Sequence, residues 1–324
     1  MNFSIRKFGL SVLMGACLMG PGAFAQDFPT KPVRLVVGFP PGGLADIMAR
    51  ILAEKLPAVW GQPVVVENRA GASGTIAADL VAKANPDGHT LLLILTNHVV
   101  IAAVRPKLPF DPLTDFAPVS QVGSSPLILL ANPKLAANTL PELIALAKTK
   151  PGVLTYSTPG DGSVHHLQQE LLNAAVGVKM VHVPYVGGAP AMLDAISGVV
   201  DLNVGSPAQG IQQVEAGKLK ALSYTGEKRS ALLPNVPTVA ESAVPGFYAA
   251  LWGGVLAPGR TPKAVVARIN ADIRQVMNQP DVRDKMAKLG TDVVTSSPEA
   301  FDKFIRAELT KWSGVAKQAG VKGE

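Results

Sequence analysis

Short apolar runs alternate along this chain with stretches in which apolar residues recur every three to four positions, so strands alternate with helices. Residues 33–38 read as a buried strand, and residues 44–56 follow as a helix with Ile47, Ile51, Leu52 and Leu56 on one face. Residues 64–67 and 90–95 read as strands on either side of a helix over 75–84. A strand near Val119, another over 127–131 and a helix after Thr139 come next. Strands over 154–157, 180–183, 199–204 and 219–224 then interleave with helices over 164–175, 189–197 and 207–216. Such alternation predicts an α/β protein with mostly parallel sheets covered by helices.

Between residues 232 and 260 the pattern breaks. Pro234, Pro237, Pro245 and Pro258, with Gly246, Gly253, Gly254 and Gly259, interrupt any regular helix. This stretch reads as a return crossing, followed by helices over 262–278 and 298–317 with a strand near 292–295 between them. The organisation expected is a domain of residues 26–123 with 246–324 and a second domain of 124–245 inserted between two crossings. A cleft between such lobes is a common place for a small-molecule site.

With 48% apolar and 17% charged residues in 324, the chain is too apolar to be disordered. Residues 1–25 read as a cleavable export signal. Arg6 and Lys7 precede a short apolar run, and Ala23-Phe24-Ala25 forms a small-x-small site with cleavage after Ala25. That run is too short to span a bilayer. The one cysteine, Cys17, lies inside it, in a Met14-Gly15-Ala16-Cys17 segment that only faintly resembles a lipoprotein box. The exported chain then has no thiol for a disulfide, a thiolate metal site or a cysteine nucleophile. A net charge of +6, with few aromatics and no cationic cluster among them, argues against nucleic-acid binding.

Candidate chemistry lies where strands pass into helices, because ligands of open α/β sheets sit beyond the carboxyl ends of the strands. Four such junctions share a glycine-rich, uncharged composition: Phe39-Pro40-Pro41-Gly42-Gly43, residues 157–163, Tyr185-Val186-Gly187-Gly188, and Gly205-Ser206-Pro207. Glycine lets main-chain amides approach a ligand, and a helix start offers unpaired N–H groups with partial positive charge. Together they describe reversible capture of a carboxylate or phosphate. Asp46 fits a capping role on the first loop, or contact with an amino or hydroxyl group of the ligand. No P-loop, dinucleotide fingerprint or nucleophile elbow is present, and the five histidines contain no H-E-x-x-H. His182 reads as structural, Tyr185 as a cleft residue, and Trp60, Trp252 and Trp312 as core or domain-contact residues.

The same segments resemble the Bug-type periplasmic receptors of tripartite tricarboxylate transporters. The resemblance runs through residues 32–37 with Phe39-Pro40-Pro41-Gly42-Gly43 and Asp46, residues 66–74, Asn85-Pro86-Asp87-Gly88, His166-Leu167 with Glu170-Leu171, residues 182–190, residues 236–241 and Pro245-Gly246-Phe247. It implies a two-domain periplasmic-binding-protein fold of type II, the venus flytrap. It further implies a non-catalytic monomer that captures a small carboxylate, without metal or cofactor, and delivers it to membrane permease subunits. Carried over residue by residue, the ligand contacts it implies are Pro41, Gly42, Gly43, Asp46, Thr96, Asn97, Ser157, Thr158, Gly162, Ser163, His166, Tyr185, Gly188 and Ser206. His165 is an extra histidine beside the expected one and leaves open a contact specific to this chain. Two other readings stand beside transport: a ligand sensor docking on a signalling receptor, and a periplasmic hydrolase using Ser163 and His166.

Overall fold

The computed structural model describes residues 28–321 apart from Pro106; the expected export signal with Cys17 lies outside the described residues. β1 (Val33–Val37) is nearly all buried and runs into α1 (Leu44–Lys55), which turns Met48, Ala49, Ile51 and Leu52 onto the sheet. Next come α2 (Pro57–Trp60), β2 (Val64–Asn68), α3 (Thr75–Ala82) and β3 (Thr90–Leu95). α4 (Asn97–Val104) and β4 (Phe116–Pro126) complete this half. After Pro126 the chain enters a second lobe of β5 (Ile128–Ala131), α5 (Leu140–Thr149), β6 (Thr155–Thr158), α6 (Val164–Val176) and β7 (Val181–Pro184). α7 (Gly188–Ser197), β8 (Leu202–Gly205), α8 (Pro207–Glu215) and β9 (Lys220–Tyr224) follow. The chain returns through α9 (Val239–Ser242) to β10 (Ala250–Pro258), α10 (Lys263–Met277), α11 (Pro280–Ala287) and α12 (Pro298–Ala319).

Among the described residues the strands form two five-stranded sheets, in the orders β2-β1-β3-β10-β4 and β7-β6-β8-β5-β9. β1 pairs in parallel with β2 and β3, placing Leu35 opposite Val66 and Leu91. β6 likewise pairs in parallel with β7 and β8. The sheets are more mixed than the alternation predicts. β4 carries the chain out of the first lobe and β10 brings it back, so the two run antiparallel side by side. In the second sheet β5 runs antiparallel to both β8 and β9.

Three departures from the sequence reading have clear physical reasons. β10 occupies the stretch expected to be an irregular crossing, because Gly253 and Gly254 mark close packing there. A Cβ on Gly253 would run into Met48, and one on Gly254 into the Phe301 ring on the other face. The strand expected near 292–295 reduces to a single bridge between Asp292 and Ser124. Beyond it, side chains replace the ladder: Gln121 N donates to Ser296 Oγ at 3.1 Å, and Ser296 N donates to Ser120 Oγ at 3.3 Å. α4, which the reading does not assign, is apolar around most of its circumference and buried at His98, Val99, Val100, Ile101 and Val104, so it carries no amphipathic period.

Two devices join the lobes. Thr225 clasps both crossing segments: its Oγ1 accepts from Leu127 N at 2.8 Å and donates to Ala249 O at 2.6 Å. α12 packs against α4 and β4 of the first lobe and α6 of the second. Its Trp312 and the Trp252 of β10 are fully buried, and both indole N–H groups donate to Glu308 Oε2 at 2.9 Å. Trp60 is buried within the first lobe and donates to Asp272 at 2.8 Å. No helix among the described residues is long and apolar enough to cross a membrane.

Candidate functional site

A groove of about 360 Å³ lies between the lobes. From the first lobe it is lined by Gly42, Gly43, Leu44 and Ile47 at the start of α1, together with Ser125, Leu251, Leu289 and Thr291. The second lobe faces these with Pro159, His165, Gly188, Ser206 and Gln209. Among the described residues no lysine or arginine lines it.

Three helices open on this groove without a side-chain cap. α1 follows Gly43, α7 follows Gly187 and α8 follows Ser206, and none of these residues bonds the first N–H groups of its helix through a side chain; in α8 the first residue, Pro207, itself has no N–H. Gly42 and Gly187 hold φ values of +86° and +104°, which the turns into α1 and α7 require and which side chains disfavour. Uncapped helix starts carry roughly +0.5 charge each and aim their N–H groups at whatever lies in front. The arrangement can therefore hold an anion without a cationic side chain.

The first loop is braced from behind by Asp46. Its Oδ2 accepts from Gly42 N at 2.9 Å and from Arg50 Nε at 2.7 Å, and its Oδ1 accepts from Asn68 Nδ2 at 3.0 Å. The Arg50 bond above all, aided by the Gly42 and Asn68 donors, pulls the Asp46 carboxyl down to about 2 against the opposing effect of burial. Of the two roles open to Asp46 on sequence grounds, the structure displays the brace.

The structure sorts the other expected residues by where they lie. Gly42, Gly43, Gly188 and Ser206 line the groove, and Pro41 is exposed beside it in the first loop. Thr96 is fully buried, where its Oγ1 accepts from Trp252 N at 2.7 Å and stitches β3 to β10. Asn97 borders a separate pocket of about 20 Å³ inside the first lobe. Ser157 is fully buried, donating to Ala191 O at 2.9 Å and accepting from Asn203 Nδ2 at 3.0 Å. Thr158 Oγ1 is buried against His182 Nε2 at 2.7 Å. Tyr185 is half-buried and donates to Asp194 at 2.6 Å; burial first, and then this bond, raises its hydroxyl to about 12.

Residues 157–163, the second glycine loop, close on themselves. Ser163 Oγ accepts from His166 N at 3.2 Å and caps α6, while His166 Nδ1 accepts from Gly162 N at 3.2 Å. No hydrogen bond joins Ser163 Oγ to a ring nitrogen of His166, so the pair is not arranged as nucleophile and base. His166 and His182 stack face to face at 3.6 Å, with Asp161 at 3.0 Å and 3.8 Å from their Nδ1 atoms. The rings lie within 14° of parallel, so an ion in the plane of one would sit out of the plane of the other. Burial, and then repulsion from His166, pushes His182 down to about 4.

Sequence reasoning flagged His165 only as an extra histidine; it lines the groove, and burial holds its imidazole down to about 4. Nothing in the sequence pattern singles out Ser125, Gln209, Leu251, Leu289 or Thr291. Ser125 and Leu251 lie on the paired crossing strands, so a register for β4 against β10 would have found them together. Thr291 has no local signal.

Three comparisons decide the family. A model of the tripartite tricarboxylate transporter family receptor matches residues 48–321. The chain belongs to that receptor family. Protein BugT of Bordetella pertussis is 38% identical over 300 residues, covering 92% of each chain. Among solved structures, a protein of R. palustris with adipate superposes with a TM-score of 0.78 at 34% identity, covering 91% of this chain and 99% of its own. MatC from Rhodopseudomonas palustris with bound malate gives 0.73 at 34% identity, covering 89% and 99%. The Bug-type resemblance and the two-domain periplasmic-binding-protein fold are thereby established for this receptor. Its uncapped helix starts face a groove whose described lining residues include no lysine or arginine.

Proposed function

We propose that this receptor captures a small carboxylate in the groove between its lobes and delivers it to a tripartite tricarboxylate-type membrane transporter. The observation that carries the reading is the convergence of three uncapped helix starts on one groove whose described lining residues include no lysine or arginine. Main-chain donors hold a carboxylate through hydrogen bonds worth about 1.5–3 kcal/mol each, strong enough for capture and weak enough for release. The relatives with adipate and malate support a carboxylate as the guest.

In this reading Gly42, Gly43, Gly188 and Ser206 contact the ligand, and Pro41, Gly162, Ser163, Tyr185 and His166 shape the loops around it. Asp46, Thr96, Asn97, Ser157 and Thr158 act from behind by holding those loops. The lobes expected as residues 26–123 with 246–324 and 124–245 move against each other as two bodies, with the exit from the first lobe at Pro126, where β4 ends, and the ligand favours the closed form only as far as it binds that form more tightly. The protein is a non-catalytic monomer without metal or cofactor, exported to the periplasm by cleavage after Ala25.

A thermal-shift screen over a library of carboxylic acids tests the central claim. At a concentration 100-fold above Kd, a bound acid stabilises the protein by about 2.7 kcal/mol, which raises the melting temperature visibly. Failure of every acid to shift it would end the carboxylate reading. N-terminal sequencing of the exported protein starts at Gln26 if the signal is read correctly.

A further inference from the structure

The groove's first-lobe wall carries more information than its anion-binding side. Leu44 and Ile47 project from α1 one turn apart, Leu251 comes from the start of β10, and Leu289 from the turn after α11. All four are half-buried, so three separate segments leave aliphatic surface open on a single concavity. Apolar surface gathered in this way is characteristic of a wall that a ligand covers.

The charge balance points the same way. Three helix starts at roughly +0.5 each offset about one and a half negative charges. A single carboxylate is matched by that field, whereas a tricarboxylate would leave at least one buried charge without a partner. Among the described residues nothing else in the lining repairs the deficit: none of them is a lysine or arginine, and burial pushes His165 down to about 4, so it is uncharged near neutral pH. The unspent polar group is itself neutral. Thr291 lines the groove, is only 2% exposed, and its Oγ1 has no hydrogen-bond partner among the described residues.

Resting on the carboxylate reading above, we propose that the ligand is an acid with an apolar, aliphatic or aromatic body. Its carboxylate meets the starts of α1, α7 and α8, its body lies against Leu44, Ile47, Leu251 and Leu289, and densely charged acids of the citrate kind are rejected.

Titration calorimetry of the purified protein with hexanoate, benzoate, malate and citrate tests this. Hexanoate or benzoate is expected to bind at least tenfold more tightly than citrate. Leu289 belongs to neither lobe's hydrophobic core, so Leu289→Asn removes apolar wall without opening the interior. It should weaken the preferred acid at least fivefold, with an unchanged circular dichroism spectrum. Ile47, on α1, also packs against the first-lobe core, so the apolar truncation Ile47→Ala, with its circular dichroism spectrum matched to the parent, provides the second variant. Citrate or malate binding more tightly than both apolar acids would overturn the inference while leaving a carboxylate receptor standing. Unchanged affinity in both variants would overturn it as well. If none of the four acids binds and the wider acid screen is also silent, the carboxylate reading falls and takes this inference with it.

Discussion

Asp46 shows how one side chain braces a loop of the candidate groove without lining it. Its carboxylate gathers Gly42 N, Asn68 and Arg50, so the loop that presents Gly42 and Gly43 is fixed by bonds directed away from the groove. Its folded-state value of about 2 lies below the ordinary carboxylate value near 3.9, so the ionised form stabilises the fold. That contribution is complete above about pH 3.9 and is lost as pH falls through about 2. Arg50 is more than half exposed and its pairing is partly screened, which leaves a contribution of about 1–2 kcal/mol. Asp46→Asn should lower stability by about that amount at pH 7, by urea denaturation, and the difference from the parent protein should shrink towards pH 2. Sequence alone placed Asp46 correctly beside the loop but left its role open between brace and ligand contact. Only the positions of Asn68 and Arg50 around it distinguish the two.

At the scale of elements, local pattern carried most of the assignment. β1, α1, β3 and α6 follow the periodicities expected of them, because each has to bury an apolar face against its own neighbours in sequence. β10 did not, although it is the strand that joins β3 to β4. Its glycines read as breaks in isolation, yet in the sheet they are the space into which Met48 and Phe301 pack from opposite faces. Gly254→Ala therefore puts a methyl group into the Phe301 ring, and overpacking of this kind costs about 1–3 kcal/mol. Thermal unfolding should show that loss, and Phe301→Leu in the same chain should recover part of it by making room. A melting temperature unchanged by Gly254→Ala would mean that β10 is not held between those two side chains.

For the whole molecule, the decisive feature is that two crossings and one long helix join lobes that otherwise have separate sheets. Thr225 lies at the centre of the join, buried, with Leu127 on one crossing and Ala249 on the other bonded to the same hydroxyl. Thr225→Val keeps the shape but leaves Leu127 N without its acceptor, a loss of about 1–3 kcal/mol. Denaturant unfolding measures it, and Thr225→Ser, which retains the hydroxyl, should restore most of the difference. A loss equally large in both variants would assign the effect to packing and not to the clasp.

The alternation of strands and helices, the glycine-rich junctions and the absence of an internal cation at them were settled by the order of residues alone, because each depends on neighbours a few positions apart. Which junctions share a groove was not. Ser163 caps its own helix, whereas Gly43, Gly187 and Ser206 leave theirs uncapped, and Thr291 and Leu289 join them from nearly 250 residues further along than Gly42. Those outcomes belong to the tertiary structure, because a hydrogen-bond donor is spent or left free according to what the fold brings in front of it.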